Sequence, residues 1–237
     1  MKIMSLLAFF LILIISSGCE VKEKEIIGSG QISIETRDFS NFKHITFNGS
    51  GNLYITQSDH ELVEIEAESN ILPLIKTEVI EGNLQISFNN GNFKATLPIN
   101  IHVKVKNIQS IRLSGSGTIT GQNLKSDRLK VSVSGSGSVD IGITSDKLIS
   151  VLSGSGNFLV KGSVNSQEVW ISGTGIYNGL ELVSKESIVK ISGSGQVFVN
   201  VANSLDAHIS GAGVITYKGN PEVQQSISGS GKITKLK

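Results

Sequence analysis

Ile191-Ser192-Gly193-Ser194-Gly195-Gln196-Val197 is one copy of a pattern that returns along most of the chain. The first glycine of a Gly-X-Gly falls at Gly28, Gly49, Gly115, Gly135, Gly154, Gly173, Gly193, Gly211 and Gly229. From Gly115 onward the steps are 20, 19, 19, 20, 18 and 18 residues. A period that steady marks stacked copies of one supersecondary unit. With that glycine as position zero, minus two holds Leu113, Val133, Leu152, Ile171, Ile191, Ile209 and Ile227. Plus four holds Ile119, Val139, Phe158, Tyr177, Val197, Ile215 and Ile233. Minus four adds Ile111, Val131, Val169 and Val189, and plus six adds Ile141, Val160 and Val199. Apolar residues two apart are strand periodicity, and a helix would need spacings of three and four. Each copy reads as strand, corner, strand, with glycine supplying a corner conformation at φ > 0. The fold expected is all-β, a parallel β-helix-like solenoid of ~18–20-residue coils stacked about 4.8 Å apart.

Serine precedes the glycine in all seven copies from Ser114 to Ser228. Such hydroxyls can bond to backbone groups in turns. With 26 glycines and 5% aromatic residues, the composition suits a turn-rich β protein.

At the front, Lys2 precedes an apolar run from Leu6 to Ile15, followed by Ser16-Ser17-Gly18-Cys19. The run is short for a membrane-spanning helix and ends in small residues, as an export signal does. It resembles a bacterial lipoprotein signal over residues 1–18, with Ser16 in place of the usual leucine. That resemblance implies lipid attachment at Cys19 and a membrane anchor, in an outer-membrane lipoprotein facing the periplasm or the exterior. The alternative is an ordinary cleaved signal that leaves a free thiol. Cys19 is the sole cysteine, so it has no intramolecular disulfide partner. Without residues 1–18 the chain carries equal numbers of basic and acidic residues. It lacks the basic excess or stripe of a nucleic-acid binder.

Residues 19–27, rich in Glu and Lys, read as a charged tether. A repeat-like copy comes next at Gly28-Ser29-Gly30-Gln31-Ile32, and Phe42–Ile55 keeps the full template, so the solenoid register begins there. The repeat is then interrupted until Gly115. Strands are expected at 62–67, 82–88 and 98–105, with one helical turn around Pro73. The division expected is an N-terminal β lobe over 28–113 that interrupts the repeat, then a repeat solenoid over 114–237. The two together can also be read as one continuous domain, 28–237.

Asp38-Phe39 with Phe42 ahead of Ile45, Gly49-Ser50-Gly51-Asn52-Leu53, Asn70-Ile71-Leu72-Pro73, Pro98-Ile99 with Ile101, and the Ser-Gly-Ser-Gly series together resemble the head GIN domain family. These are bacterial exported proteins known as auto-transporter adhesins. The resemblance covers roughly residues 28 to 237. It implies a right-handed β-helix-like fold and a cell-envelope location, and it implies no chemistry.

No catalytic motif survives inspection. Gly229-Ser230-Gly231-Lys232 lacks the glycine and the hydroxyl residue of a phosphate loop and starts no helix. His44, His60, His102 and His208 lack metal-ligand spacing. No cofactor or metal is expected. The enzymatic alternative is a carbohydrate-active β-helix built on Asp140, Asp146, Glu168 and Asp206, which requires carboxylates facing each other across roughly 5 to 9.5 Å.

The outward columns are more informative, because polar residues are expected there. Minus three reads Arg112, Ser132, Val151, Trp170, Lys190, His208 and Ser226, and plus five includes Leu159 and Phe198. The candidate contact surface is therefore Trp170 with Val151, flanked by Lys190 and Tyr54, with Leu159 and Phe198 on neighbouring outer faces. The competing expectation is that Trp170 packs against residues 58–110. The function expected is that of a non-enzymatic, lipid-anchored envelope protein that adheres to a glycan or protein partner. A polysaccharide-binding or carbohydrate-active protein and a self-associating structural protein are the alternatives.

Overall fold

In the computed structural model, which describes residues 25–89 and 92–236, coils stack through parallel pairing from Gly49 to Gly229. Cys19 and the export signal lie outside the described residues. The elements in chain order are β1 (Ile26–Ile27), β2 (Ile32–Arg37), β3 (His44–Gly49), β4 (Asn52–Gln57) and β5 (Leu62–Glu68). A 3-10 turn at Leu72–Leu74 follows, with Pro73 near its start. Then come β6 (Ile75–Ile80), β7 (Asn83–Phe88), β8 (Phe93–Lys94), β9 (Asn100–Val105) and β10 (Ser110–Gly115). The long coil strands are β11 (Thr118–Gly135), β12 (Ser138–Gly154), β13 (Asn157–Gly173), β14 (Ile176–Gly193) and β15 (Gln196–Gly211). β16 (Val214–Lys218), β17 (Glu222–Gly229) and β18 (Lys232–Lys235) complete the stack.

Each long coil strand pairs in two or three runs. Between β11 and β12 these are residues 118–121, 124–126 and 128–135, separated by an irregularity after Gly121 and by the unpaired Asp127. The run that ends at the first corner glycine forms wall A, and the run after the corner forms wall B. The register matches the column reading residue for residue: Leu113 pairs with Val133 in wall A, and Val139 with Phe158 in wall B. The inward columns form one core, in which Phe47, Leu113, Ile119 and Val160 are completely buried. Ile227, in the final copy, is 42% exposed although it occupies an inward column, because no described coil packs beyond β17.

The corner glycines are required sterically. Gly154 has φ 125, and a Cβ there would lie 2.4 Å from the carbonyl oxygen of Gly135 in the coil below. Backbone amides cross the same step, as in Ser155 N–H to the Gly135 carbonyl at 3.0 Å. Serines that bond to backbone carbonyls lie away from this corner, among them Ser126 and Ser145 at the turn into wall A. The corner hydroxyls face solvent, with a cross-coil bond between Ser155 and Thr174 at 3.0 Å.

The interruption in the repeat forms one end of the stack. β3 pairs in parallel with both β10 and β7, and β4 pairs in parallel with both β11 and β9. The first coil of the solenoid is therefore β3–β4, and the residues between β4 and β10 are inserted after it. β7 and β9 extend walls A and B by one more layer. Antiparallel β6 lies against β7 and antiparallel β5 against β9, so the strand edges at this end are covered. The Gly28 copy lies outside the stack, as a register beginning at Phe42 requires, and β2 pairs antiparallel with β5. One expectation is corrected here: the charged tether, expected over 19–27, ends before Ile26, because Ile26–Ile27 pairs with Phe93–Lys94.

Glu68 ties this end together. Its carboxylate, 1% exposed, accepts bonds from the Thr96 hydroxyl at 2.5 Å and from the amides of Thr96 at 2.8 Å, Gly30 at 2.8 Å and Leu97 at 3.3 Å. The Thr96 hydroxyl, with those amides, holds the carboxyl at about 2, below its ordinary 4.5, against the opposing effect of burial. The folded chain thus binds the ionised form preferentially. Its stabilisation is present above about pH 4.5 and is lost as pH falls towards 2. Amide exchange at Gly30 and Leu97 is expected to accelerate across that window. Glu68→Gln should already exchange fast at neutral pH, and equal protection in both chains at every pH would contradict the assignment.

Candidate functional site

Wall A presents its minus-one, minus-three and minus-five residues outward. Pairing lines up Arg112, Ser132, Val151, Trp170, Lys190, His208 and Ser226 across β10, β11, β12, β13, β14, β15 and β17. Beside them runs a ladder of exposed serines, among them Ser153, Ser172, Ser192 and Ser210. Between the two columns lies an open groove of about 630 Å³, lined by Val151, Trp170, Lys190, His208 and these serines. Trp170 is 44% exposed, and Val151 beside it is half-buried. Lys190 Nζ lies 6.0 Å from the centre of the Trp170 ring, at the outer limit of a cation–π contact.

Trp170, Val151 and Lys190 are thus brought together, while the other proposed members of the surface are not. Leu159 and Phe198 belong to wall B, around the glycine corner, and neither lines the groove. Leu159 is 40% exposed there. Tyr54 lies in the same wall-B ladder and stacks on His102, with ring centres 4.8 Å apart. Minus three and plus five flank one corner, so residues in those two columns face away on different walls. None of the groove-lining residues comes from 58–110, the segment expected as the alternative cover for Trp170.

The candidate acids do not assemble into facing carboxylates. Asp140 is on wall B, and Asp146 accepts a bond from Asn165 Nδ2 at 2.8 Å on the turn into wall A. Glu168 and Asp206 border a second groove of about 370 Å³ with Glu186 and Glu222. They stand in one ladder with Ile188 between them, roughly 10 Å apart and side by side on one sheet face. Each already has a cationic or basic neighbour: Lys147 lies 2.5 Å from Glu168, and His208 lies 2.8 Å from Asp206. This is the arrangement of a charged surface and not of an acid–base pair across a substrate. Among the described residues, no three His, Cys, Asp or Glu side chains cluster as metal ligands.

The column reading missed a polar group inside the coils. Tyr177 donates to Gln167 Oε1 at 3.0 Å, Gln167 donates to Ser184 at 2.9 Å, and Ser184 donates to the Asn200 carbonyl at 3.0 Å. Ser150 and Ser187 are buried beside this network without hydrogen-bond partners. The signal was present in the repeat, since Ser150 interrupts a minus-four column that is otherwise apolar from Ile111 to Ala207.

A family model described as "Putative auto-transporter adhesin, head GIN domain" matches residues 41–221. No curated protein matches the chain. Among solved structures, one described as a putative adhesin from Bacteroides fragilis is 26% identical with a TM-score of 0.85, covering 89% of this chain and 100% of its own. Another, described as a putative lipid binding protein from Parabacteroides distasonis, is 28% identical with a TM-score of 0.76, covering 90% of this chain and 100% of its own. A putative adhesin from Parabacteroides merdae, 23% identical with a TM-score of 0.69, shares the fold over 90% of this chain and 99% of its own.

Proposed function

This chain belongs to the head GIN domain family, and on that premise we propose that it is a non-enzymatic envelope protein, lipid-anchored through Cys19, that adheres to its partner through wall A. The observation that carries the reading is Trp170, 44% exposed in an open groove on a face with no cover from the N-terminal lobe. Tryptophan combines a large apolar area with a polar N–H and is enriched where contacts are energetically dominant. The solenoid holds it on a strand paired on both sides, so little conformational entropy remains to be lost on binding. Family membership and the adhesin-like relatives support an envelope location and a binding role. Lipid attachment at Cys19 would make the protein an outer-membrane lipoprotein.

The test is an array of glycans and matrix proteins, with this chain itself among the spotted proteins. It is probed with chain lacking residues 1–18 and carrying Cys19→Ser, beside the same chain with Trp170→Ala. Retention by at least one spot, weakened about tenfold or more by Trp170→Ala, is expected. No retention anywhere, or retention indifferent to Trp170, would overturn the reading.

A further inference from the structure

We infer that the partner of wall A is a second copy of this chain, docked face to face with its coils in reverse order; this rests on the adhesive reading above. Wall A and its margin are electrically divided along the stack. The N-terminal coils expose Lys43, Arg112, Arg128 and Lys130. The C-terminal coils carry Glu168, Glu186, Asp206 and Glu222 at the equivalent outward positions. Asp127 lies on the turn at the wall's edge. In the acidic half Lys190 lies over the Trp170 ring and His208 lies 2.8 Å from Asp206, while Lys185 stands on the turn at the position that Asp127 holds in the basic half. The change of sign falls at the adjacent coils of Val151 and Trp170, with Ile188, 37% exposed, one coil further on. An apolar centre flanked by opposite charges is complementary to itself when rotated by half a turn.

The symmetry fixes which half-turn. A two-fold axis lying in the interface and parallel to the strands reverses the coil order and keeps the columns opposed. The Gly154 coil then meets the partner's Gly173 coil, so Val151 lies against the partner's Trp170. The Gly135 coil meets the partner's Gly193 coil, so Arg128 faces the partner's Glu186. An axis along the solenoid would instead set each coil against its own copy, bringing the basic coils of one chain onto the basic coils of the other and the acidic coils onto the acidic. Eight stacked corners about 4.8 Å apart, with strand runs of about 3.3 Å per residue, give a face of roughly 800 Å². That matches the roughly 800 Å² per partner of a stable interface, and two sheets pack at about 10 Å. In this arrangement the residue-25 ends of the two copies point in opposite directions, as a contact between two facing surfaces requires.

Sedimentation velocity on the Cys19→Ser chain without residues 1–18 tests the inference. The expected result is a dimer whose dissociation constant rises about tenfold or more from low to high salt. Arg128→Glu with Lys130→Glu should be monomeric, and so should Glu186→Lys with Glu222→Lys. The two variants mixed should form a heterodimer. Circular dichroism confirms that each is folded, since all four side chains are exposed. A chain that stays monomeric at about 1 mM, or a dimer indifferent to either pair of substitutions, overturns the inference. If the chain is monomeric but the array still shows a ligand lost with Trp170→Ala, self-pairing falls and the adhesive reading stands. If the array is also empty, both fall.

Discussion

Gly154→Ala is expected to destabilise the fold by about 3 kcal/mol, although it adds one methyl group. Gly154 sits at φ 125, where a side chain is strained, and its Cβ would lie 2.4 Å from the Gly135 carbonyl oxygen. The obstacle is backbone in the next coil, so it cannot rotate away as a side chain could. A Cβ on Gly173 would likewise lie 2.4 Å from the Gly154 carbonyl oxygen, so the next coil is packed as closely and a displaced coil disturbs the contact on its other side as well. Stability in a stacked array is a sum of neighbour contacts, and one bad interface divides the stack. Chemical denaturation of wild type, Gly154→Ala and Ser153→Ala checks this. Ser153 is exposed beside the same corner, so its replacement should change stability by less than about 0.5 kcal/mol. Equal midpoints for all three chains would show that the corner is not held by this contact.

Tyr177→Ala should cost more, about 5 kcal/mol, combining an aromatic-sized cavity with a broken buried network. The ring is 1% exposed and packs 6.0 Å from Phe158, centre to centre. Its hydroxyl is so far removed from water that burial pushes the phenol well above its ordinary range, so it remains a donor to Gln167. Tyr177→Phe keeps the packing and removes only that donor, at about 1–2 kcal/mol. Measured together by denaturation, the two variants separate packing from hydrogen bonding. Equal losses would mean that the hydroxyl, not the ring, dominates this part of the core.

The solenoid was legible because its repeat is a steric necessity: corner glycines at fixed positions flank apolar columns with period two, and pairing of Leu113 with Val133 and Val139 with Phe158 results directly. The Gly28 copy shows what the corner sequence alone leaves open. Gly28-Ser29-Gly30 has the corner sequence, but the apolar residues after it, Ile32 and Ile34, are exposed at 41% and 63% on a strand that pairs antiparallel with β5. Ile26 and Ile32 hold minus two and plus four as Phe47 and Leu53 do around Gly49, but minus four is Lys24 where the Gly49 copy has Ile45.

For the site, column arithmetic identified which residues point outward but not which wall they occupy. Trp170 and Phe198 are both outward, yet the positive-φ corner between minus three and plus five turns them onto different walls. The charge division of wall A was harder to see, since Arg128, Glu186 and Glu222 are scattered in sequence and become one ladder edge only through pairing. The polar network around Tyr177 escaped because a tyrosine in an apolar column reads as core, and its hydroxyl partner lies ten residues away in sequence.

The central claim is that wall A, and not wall B, makes the adhesive contact. Beads coated with the chain through its residue-25 end, scored for adherence to one another and to glycan- and matrix-coated surfaces, measure it most directly. Three coatings are compared: wild type, Trp170→Ala, and Leu159→Ala with Phe198→Ala. The account predicts that the wall-B double variant adheres like wild type while Trp170→Ala loses about tenfold or more. Full adherence by Trp170→Ala, with loss only in the wall-B variant, would contradict it.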